Sequence, residues 1–141
     1  MLIEDETKLD YSDVLIRPKR STLGSRKEVD LNRKFTYRNV HSARIEEHDY
    51  NGIPIMAANM DGVGTFQMAD ALARQNIFTC LVKTYSVDEL IQFFDQTNIA
   101  PSRTENVAMS IGITQSDLEK LHEVYSVVGR QLKYICIDVA N

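Results

Sequence analysis

The chain has no tryptophan, and only two cysteines, three prolines, three histidines and six glycines in 141 residues. Two cysteines cannot build the multi-bridge framework of a small secreted domain. Cys80 and Cys136 both lie inside apolar runs, which suits buried thiols in a reducing compartment, so a cytoplasmic location is expected. His41, His48 and His122 are dispersed and lack zinc-ligand spacing, so no metal cluster is expected among them. No apolar stretch approaches the roughly 18 residues of a membrane span, and acidic Glu4, Asp5 and Glu6 argue against a signal peptide. With 16 Lys+Arg against 20 Asp+Glu, the formal net charge of -4 leaves no basic footprint for nucleic acid or an anionic membrane.

What is present is apolar residue content of 43%, enough for one globular core. From Ile53 onward, strand and helix signals alternate. Ile53 to Ala58 predicts a strand. Thr65 is then placed to cap a helix carrying Phe66, Ala69, Leu72 and Ala73 at helical spacing. Ile77 to Val82 predicts a second strand. Ser86 and Glu89 form a capping-box pattern ahead of a helix with Val87, Leu90, Ile91 and Phe94 on its apolar face. Pro101 falls in the next connection, and Val107 to Ile111 predicts a third, weaker strand. A third helix starts around Thr114 to Ser116, with Leu118, Leu121, Tyr125 and Val128 on one face and Gly129 as its stop. Tyr134 to Val139 predicts the fourth strand. This β-α-β-α-β-α-β order implies an α/β fold with a parallel sheet and right-handed crossovers. It permits either part of a closed barrel or an open doubly wound sheet. Gly62-Val63-Gly64 lacks the third glycine of the dinucleotide fingerprint and reads as a turn rather than a phosphate cradle.

The first 51 residues differ in texture. They are charged, with short apolar patches at Val14-Leu15-Ile16 and Phe35-Thr36-Tyr37, and predict an irregular segment of short strands and loops. Arg17-Pro18-Lys19-Arg20 and Ser25-Arg26-Lys27 form a basic cluster that is either a solvated loop or a phosphate contact.

Four strand ends gather the groups capable of chemistry, because ligands in α/β proteins bind beyond the carboxyl ends of parallel strands. Asn59 offers an amide donor and acceptor that serves either loop amides or a ligand, and Met60 a flexible thioether that packs either in the core or on a flat ring. Lys83 directly follows an apolar run, where an ammonium either snorkels to solvent or polarises a ligand amide. Asp138, with Val139 and Ala140, ends the fourth strand with a carboxylate, which either caps a helix or pairs with a neighbouring base, or accepts from a ligand NH2 or OH.

The runs LDYSDVLIRPKRSTLGSR, AANMD followed by VGTF, and YICIDVAN together resemble the IMP dehydrogenase/GMP reductase family, and look more like its reductase branch. The resemblance spans essentially the whole chain. It implies the amino-terminal half of a (β/α)8 TIM barrel over residues 52–141, preceded by the short-strand segment 1–51. It also implies NADPH-dependent reductive deamination of GMP to IMP with release of ammonia, by a homo-oligomer, expected to be a tetramer, with a monovalent cation, potassium, bound outside this chain. By the same resemblance, Ser25, Arg26, Lys83, Asp138, Val139 and Ala140 contact the cofactor, while Asn59 and Met60 lie beside the purine nucleotide. The chain departs from the family pattern at Gly24, where a lysine is usual, and at Gly62, where threonine is usual. Thr84 replaces a histidine, and Ile111 and Ile113 stand where small hydroxyl residues are usual.

A complete barrel needs roughly 250 residues, so this chain is expected to be the amino-terminal part of a longer enzyme. The family reaction uses a cysteine nucleophile on a glycine-rich loop that this chain is expected to lack, since neither Cys80 nor Cys136 matches it. The alternatives are a catalytically silent half barrel that associates with a full subunit, or an IMP dehydrogenase relative. A half barrel is expected to leave an unpaired edge at both its first and its fourth strand.

Overall fold

The computed structural model describes residues 6–36, 49–95 and 105–140. They fall into two compact units, Met1–Asp30 and Leu31–Asn141. In the first unit, two single-turn 3-10 helices are fixed by local side chains. Asp10 and Asp13 form a reciprocal cap around Tyr11–Asp13, and Ser25 caps Arg26–Glu28. Val14, Leu15 and Ile16 form no strand and are exposed, contrary to the alternating pattern read there. Within the described part of residues 1–51, strand structure is confined to β1 (Arg33–Thr36) and the start of β2 (Asp49–Ala57), while Tyr37, His41 and His48 lie outside the described residues.

The second unit carries β3 (Ile77–Cys80), β4 (Val107–Ile111) and β5 (Tyr134–Ile137), separated by helices α1 (Phe66–Ala73), α2 (Val87–Asp95) and α3 (Gln115–Val128). The expected starts hold because the caps are made. Thr65 Oγ1 accepts from the Met68 amide at 3.1 Å. Glu89 Oε2 accepts from the Ser86 amide at 2.8 Å while Ser86 Oγ accepts from the Glu89 amide at 3.3 Å. Thr114 and Asp117 repeat this reciprocal arrangement at α3. Gly129 ends α3 at φ +54, a conformation that favours glycine. Pro101 lies outside the described residues.

Strands β2 to β5 are parallel and run in chain order, with β1 antiparallel outside β2. A doubly wound sheet would reverse its strand order at a switch point and carry helices on both faces. Here Ala69, Leu90, Phe93, Phe94, Val124 and Val128 from α1, α2 and α3 pack against Leu81, Val107, Met109 and Ile111 in one cluster. The opposite face packs Tyr50, Phe78, Cys80 and Ala108 with half-buried Tyr134 and Cys136, and no helix residue among the described residues joins that cluster. Sequential parallel order with helices on one face is the winding of a (β/α) barrel, which resolves the choice between barrel and open sheet.

Three expectations are corrected. The first parallel strand is not bare, because β1 pairs with Asp49 to Gly52 of β2 and covers the early part of that edge. The apolar stripe of α3 is turned: Val124 and Val128 are buried and Leu121 packs on the core, whereas Leu118 and Tyr125 are about half exposed. The fourth strand stops at Ile137, so Val139 lies beyond it and is exposed.

Candidate functional site

The loop after β2 is shaped by its backbone. Val63 and Gly64 amides both donate to the Met60 carbonyl, at 3.0 and 2.9 Å, closing a tight turn, and Gly62 sits at φ +75, where a side chain is disfavoured. Gly64 then passes against the end of β3. Its carbonyl accepts from the Val82 amide at 2.8 Å, and a Cβ there would lie 2.4 Å from the Cys80 carbonyl oxygen. The Gly62-Val63-Gly64 run is therefore a packed crossing. Met60 is exposed at the tip. Asn59 is half-buried, and its Nδ2 is buried with no hydrogen-bond partner among the described residues.

The loop after β3 is shaped by side chains from other elements. Tyr85 stacks on Phe66 with ring centroids 3.8 Å apart, and its hydroxyl accepts from the Phe66 amide at 3.3 Å. From α3, Lys120 Nζ donates to the Lys83 carbonyl at 2.9 Å and also to the Tyr85 carbonyl. The Lys83 side chain reaches to 3.8 Å from Asp138 Oδ2, with both side chains about half exposed. Asp138 is held by its own backbone, whose amide donates to the Ile111 carbonyl at 2.8 Å, one step beyond β5. Lys83 and Asp138 are thus the two expected site residues that the structure brings together.

Charges of both signs surround this pair. Asp117 is held below the usual carboxylate range, first by the Thr114 hydroxyl and amide and then by the Gly112 amide and the Lys83 charge. Glu89 is lowered by the Ser86 amide and hydroxyl and, more weakly, by Lys120. Burial pushes the Lys120 ammonium down, against the pull of Asp117 and Glu89. Gly112 is needed for this geometry, since a Cβ there would lie 2.5 Å from Asp117 Oδ2.

Ser25 is an exposed cap, accepting from the Lys27 amide at 3.3 Å, with Arg26 exposed beside it. Val139 and Ala140 are exposed after β5, and Asn141 lies outside the described residues. Ile111 ends β4, as expected, and is buried in the helix-side core, while Ile113 is exposed. Cys80 is buried, donates to Met56 Sδ at 3.2 Å, and has its thiol pushed up to about 12 by burial and by neighbouring Cys136. A thiol so rarely ionised is inert as a nucleophile. Among the described residues no group of three or more His, Cys, Asp or Glu is placed to hold a metal, and no helix is long and apolar enough to cross a membrane.

Lys120 was not singled out from sequence. Its signal was available, because a stripe set on Val124 and Val128 extends back through Lys120 and Leu121 to Asp117, placing two charged groups on the inward flank of α3.

Residues 8–141 match the family described as IMP dehydrogenase / GMP reductase domain. Over 139 residues, the chain is 49% identical to a GMP reductase of Caenorhabditis elegans, 47% to one of Ascaris suum and 47% to GMP reductase 2 of Homo sapiens. Each match covers 99% of this chain but only 36 to 37% of the relative, so the chain spans little more than a third of their length. With a family match across nearly all of its residues and the winding of a (β/α) barrel, the chain belongs to the IMP dehydrogenase/GMP reductase family.

Proposed function

We propose that this chain forms the cofactor-facing amino-terminal portion of an enzyme that converts GMP to IMP and ammonia at the expense of NADPH. The observation that carries the reading is the Lys83–Asp138 pair at the carboxyl ends of β3 and β5. Such a half-exposed pair contributes only about 0–1 kcal/mol to folding, so stability alone gives little reason for it. Its chemistry fits a nicotinamide carboxamide: the Lys83 ammonium is donor-only and suits the carbonyl oxygen, and the Asp138 carboxylate is acceptor-only and suits the NH2 group.

When bound, NADPH supplies the hydride that replaces the departing 2-amino group of the purine. The chain's own residues bind and orient. Lys83 and Asp138 would hold the carboxamide, with Val139 and Ala140 following along the cofactor. The buried, unpartnered Asn59 amide would donate to an acceptor on the nucleotide, and Met60 would pack on the purine ring. Ser25 and Arg26 would add a hydroxyl and a guanidinium for the cofactor's phosphates. The nucleophile would come from the part of the relatives outside the matched 139 residues, as would the potassium site, and the complete enzyme would be a homotetramer in the cytoplasm.

The test joins these 141 residues to the remaining portion of Homo sapiens GMP reductase 2 and follows NADPH oxidation with GMP. The joined polypeptide should form IMP and ammonia, and Lys83→Ala should depress the NADPH-dependent rate, whereas the 141-residue chain alone should not turn over. Turnover by the chain alone would contradict the assignment of the nucleophile. A joined enzyme indifferent to Lys83→Ala would contradict the cofactor role.

A further inference from the structure

The loop that presents Lys83 has no regular structure between the end of β3 at Cys80 and the start of α2 at Val87. Its backbone carbonyls at Lys83 and Tyr85 would face solvent or stay unpaired unless something gathered them. One group does: the ammonium of Lys120, which is 37 residues beyond Lys83 in sequence and reaches back from the second turn of α3. We infer that Lys120 is a positioning residue for the cofactor-facing lysine, fixing the backbone of Lys83 so that its side chain meets Asp138. The inference rests on the proposed cofactor role of that pair.

Three observations support it. An ammonium has three donors in a compact head, and two of them here go to carbonyls two residues apart, which curls the loop around a single point. The arrangement is costly to assemble, because burial disfavours the charged Lys120, and the carboxylates that oppose that cost, Asp117 and Glu89, are themselves fixed by the capping boxes of α3 and α2. Finally, the clamp acts on the residue whose side chain carries function. The Lys83 carbonyl is held by Lys120 while its Nζ lies 3.8 Å from Asp138. A staple between helices alone could have taken any loop carbonyl.

The test uses the polypeptide that joins these residues to the remaining portion of Homo sapiens GMP reductase 2, with Lys120→Met, which keeps the length and apolar stem and removes the donors, and with Lys83→Ala as comparator. Amide hydrogen exchange and NADPH fluorescence titration are both read. Lys120→Met should speed exchange at Lys83 to Ser86 by tenfold or more, leave β4 and the second half of α3 unchanged, and weaken NADPH binding about tenfold, which Lys83→Ala should match or exceed. Unchanged exchange in the loop would overturn the clamp. Faster exchange with unchanged NADPH affinity would overturn the positioning role and leave Lys120 a structural staple. A uniform rise in exchange across β4 and α3 would likewise reduce it to a fold-stabilising residue. Absence of NADPH binding by the unaltered joined polypeptide would sink the cofactor reading itself and this role with it, a failure distinguished from the others because the unaltered polypeptide shows it.

Discussion

The loops after β2 and β3 leave the same end of the sheet side by side and touch through the Val82–Gly64 hydrogen bond, yet they are held by different means. The first is set by backbone meeting backbone, with Gly64 against the Cys80 carbonyl and Gly62 in a left-handed conformation. The second is set by a charged side chain arriving from α3 and by an aromatic stack on Phe66. Where backbone is the contact, only glycine fits, and the requirement is written in the loop itself. Where a distant side chain is the contact, the loop's own sequence says nothing about what orders it.

Replacing Gly64 should have the largest effect. Its added Cβ would press on two backbone atoms of the β3 end, at 2.4 and 2.8 Å, neither of which can swing aside as a side chain would. Gly64→Ala is expected to cost about 3 kcal/mol by denaturant unfolding, in the upper range for overpacking. Gly62→Ala sharpens the contrast, since nothing lies within 4 Å and only the φ of +75 opposes it. It should cost about 1–2 kcal/mol, the penalty of left-handed backbone. Equal losses at both glycines would break the distinction between crowding and conformation.

Thr114→Ala removes the α3 cap, whose hydroxyl accepts from the Asp117 amide at 3.3 Å, and should cost about 1 kcal/mol. It should also slacken the second loop but not the first, because Asp117 is one of the carboxylates that oppose the cost of burying the Lys120 ammonium. Amide exchange in the two loops reads this directly. Mild acid should have the smallest effect. Glu89 and Asp117 are both lower in the folded chain than when free, so their contribution is complete above the ordinary carboxylate range and is lost as the pH falls through that range and below it. Stability that stays flat through that fall would contradict the caps.

Much of this architecture was legible in the sequence because its causes are local. The caps at Thr65, Ser86 and Thr114 and the stop at Gly129 each depend on residues within one turn. The α3 face was misread because its true stripe includes Lys120 and Asp117, whose charges conceal inward positions from a reading based on apolar spacing. The burial of Ile111 was not legible from the strand pattern. The last residue of a strand points to one face or the other by alternation, and here it falls on the helix side with Val107 and Met109. The partial cover of the first edge by β1 was hidden because an antiparallel partner of four residues leaves almost no periodic trace.

The most direct measurement is the steady-state kinetics of Asp138→Ala in the polypeptide that joins these residues to the remaining portion of Homo sapiens GMP reductase 2. Losing a hydrogen bond to a charged group costs about 1.5–3 kcal/mol, so kcat/KM for NADPH should fall by roughly one to two orders of magnitude. GMP affinity should change far less. If the melting temperature instead falls by several degrees while kcat/KM for NADPH stays within twofold, Asp138 serves the fold and not the cofactor.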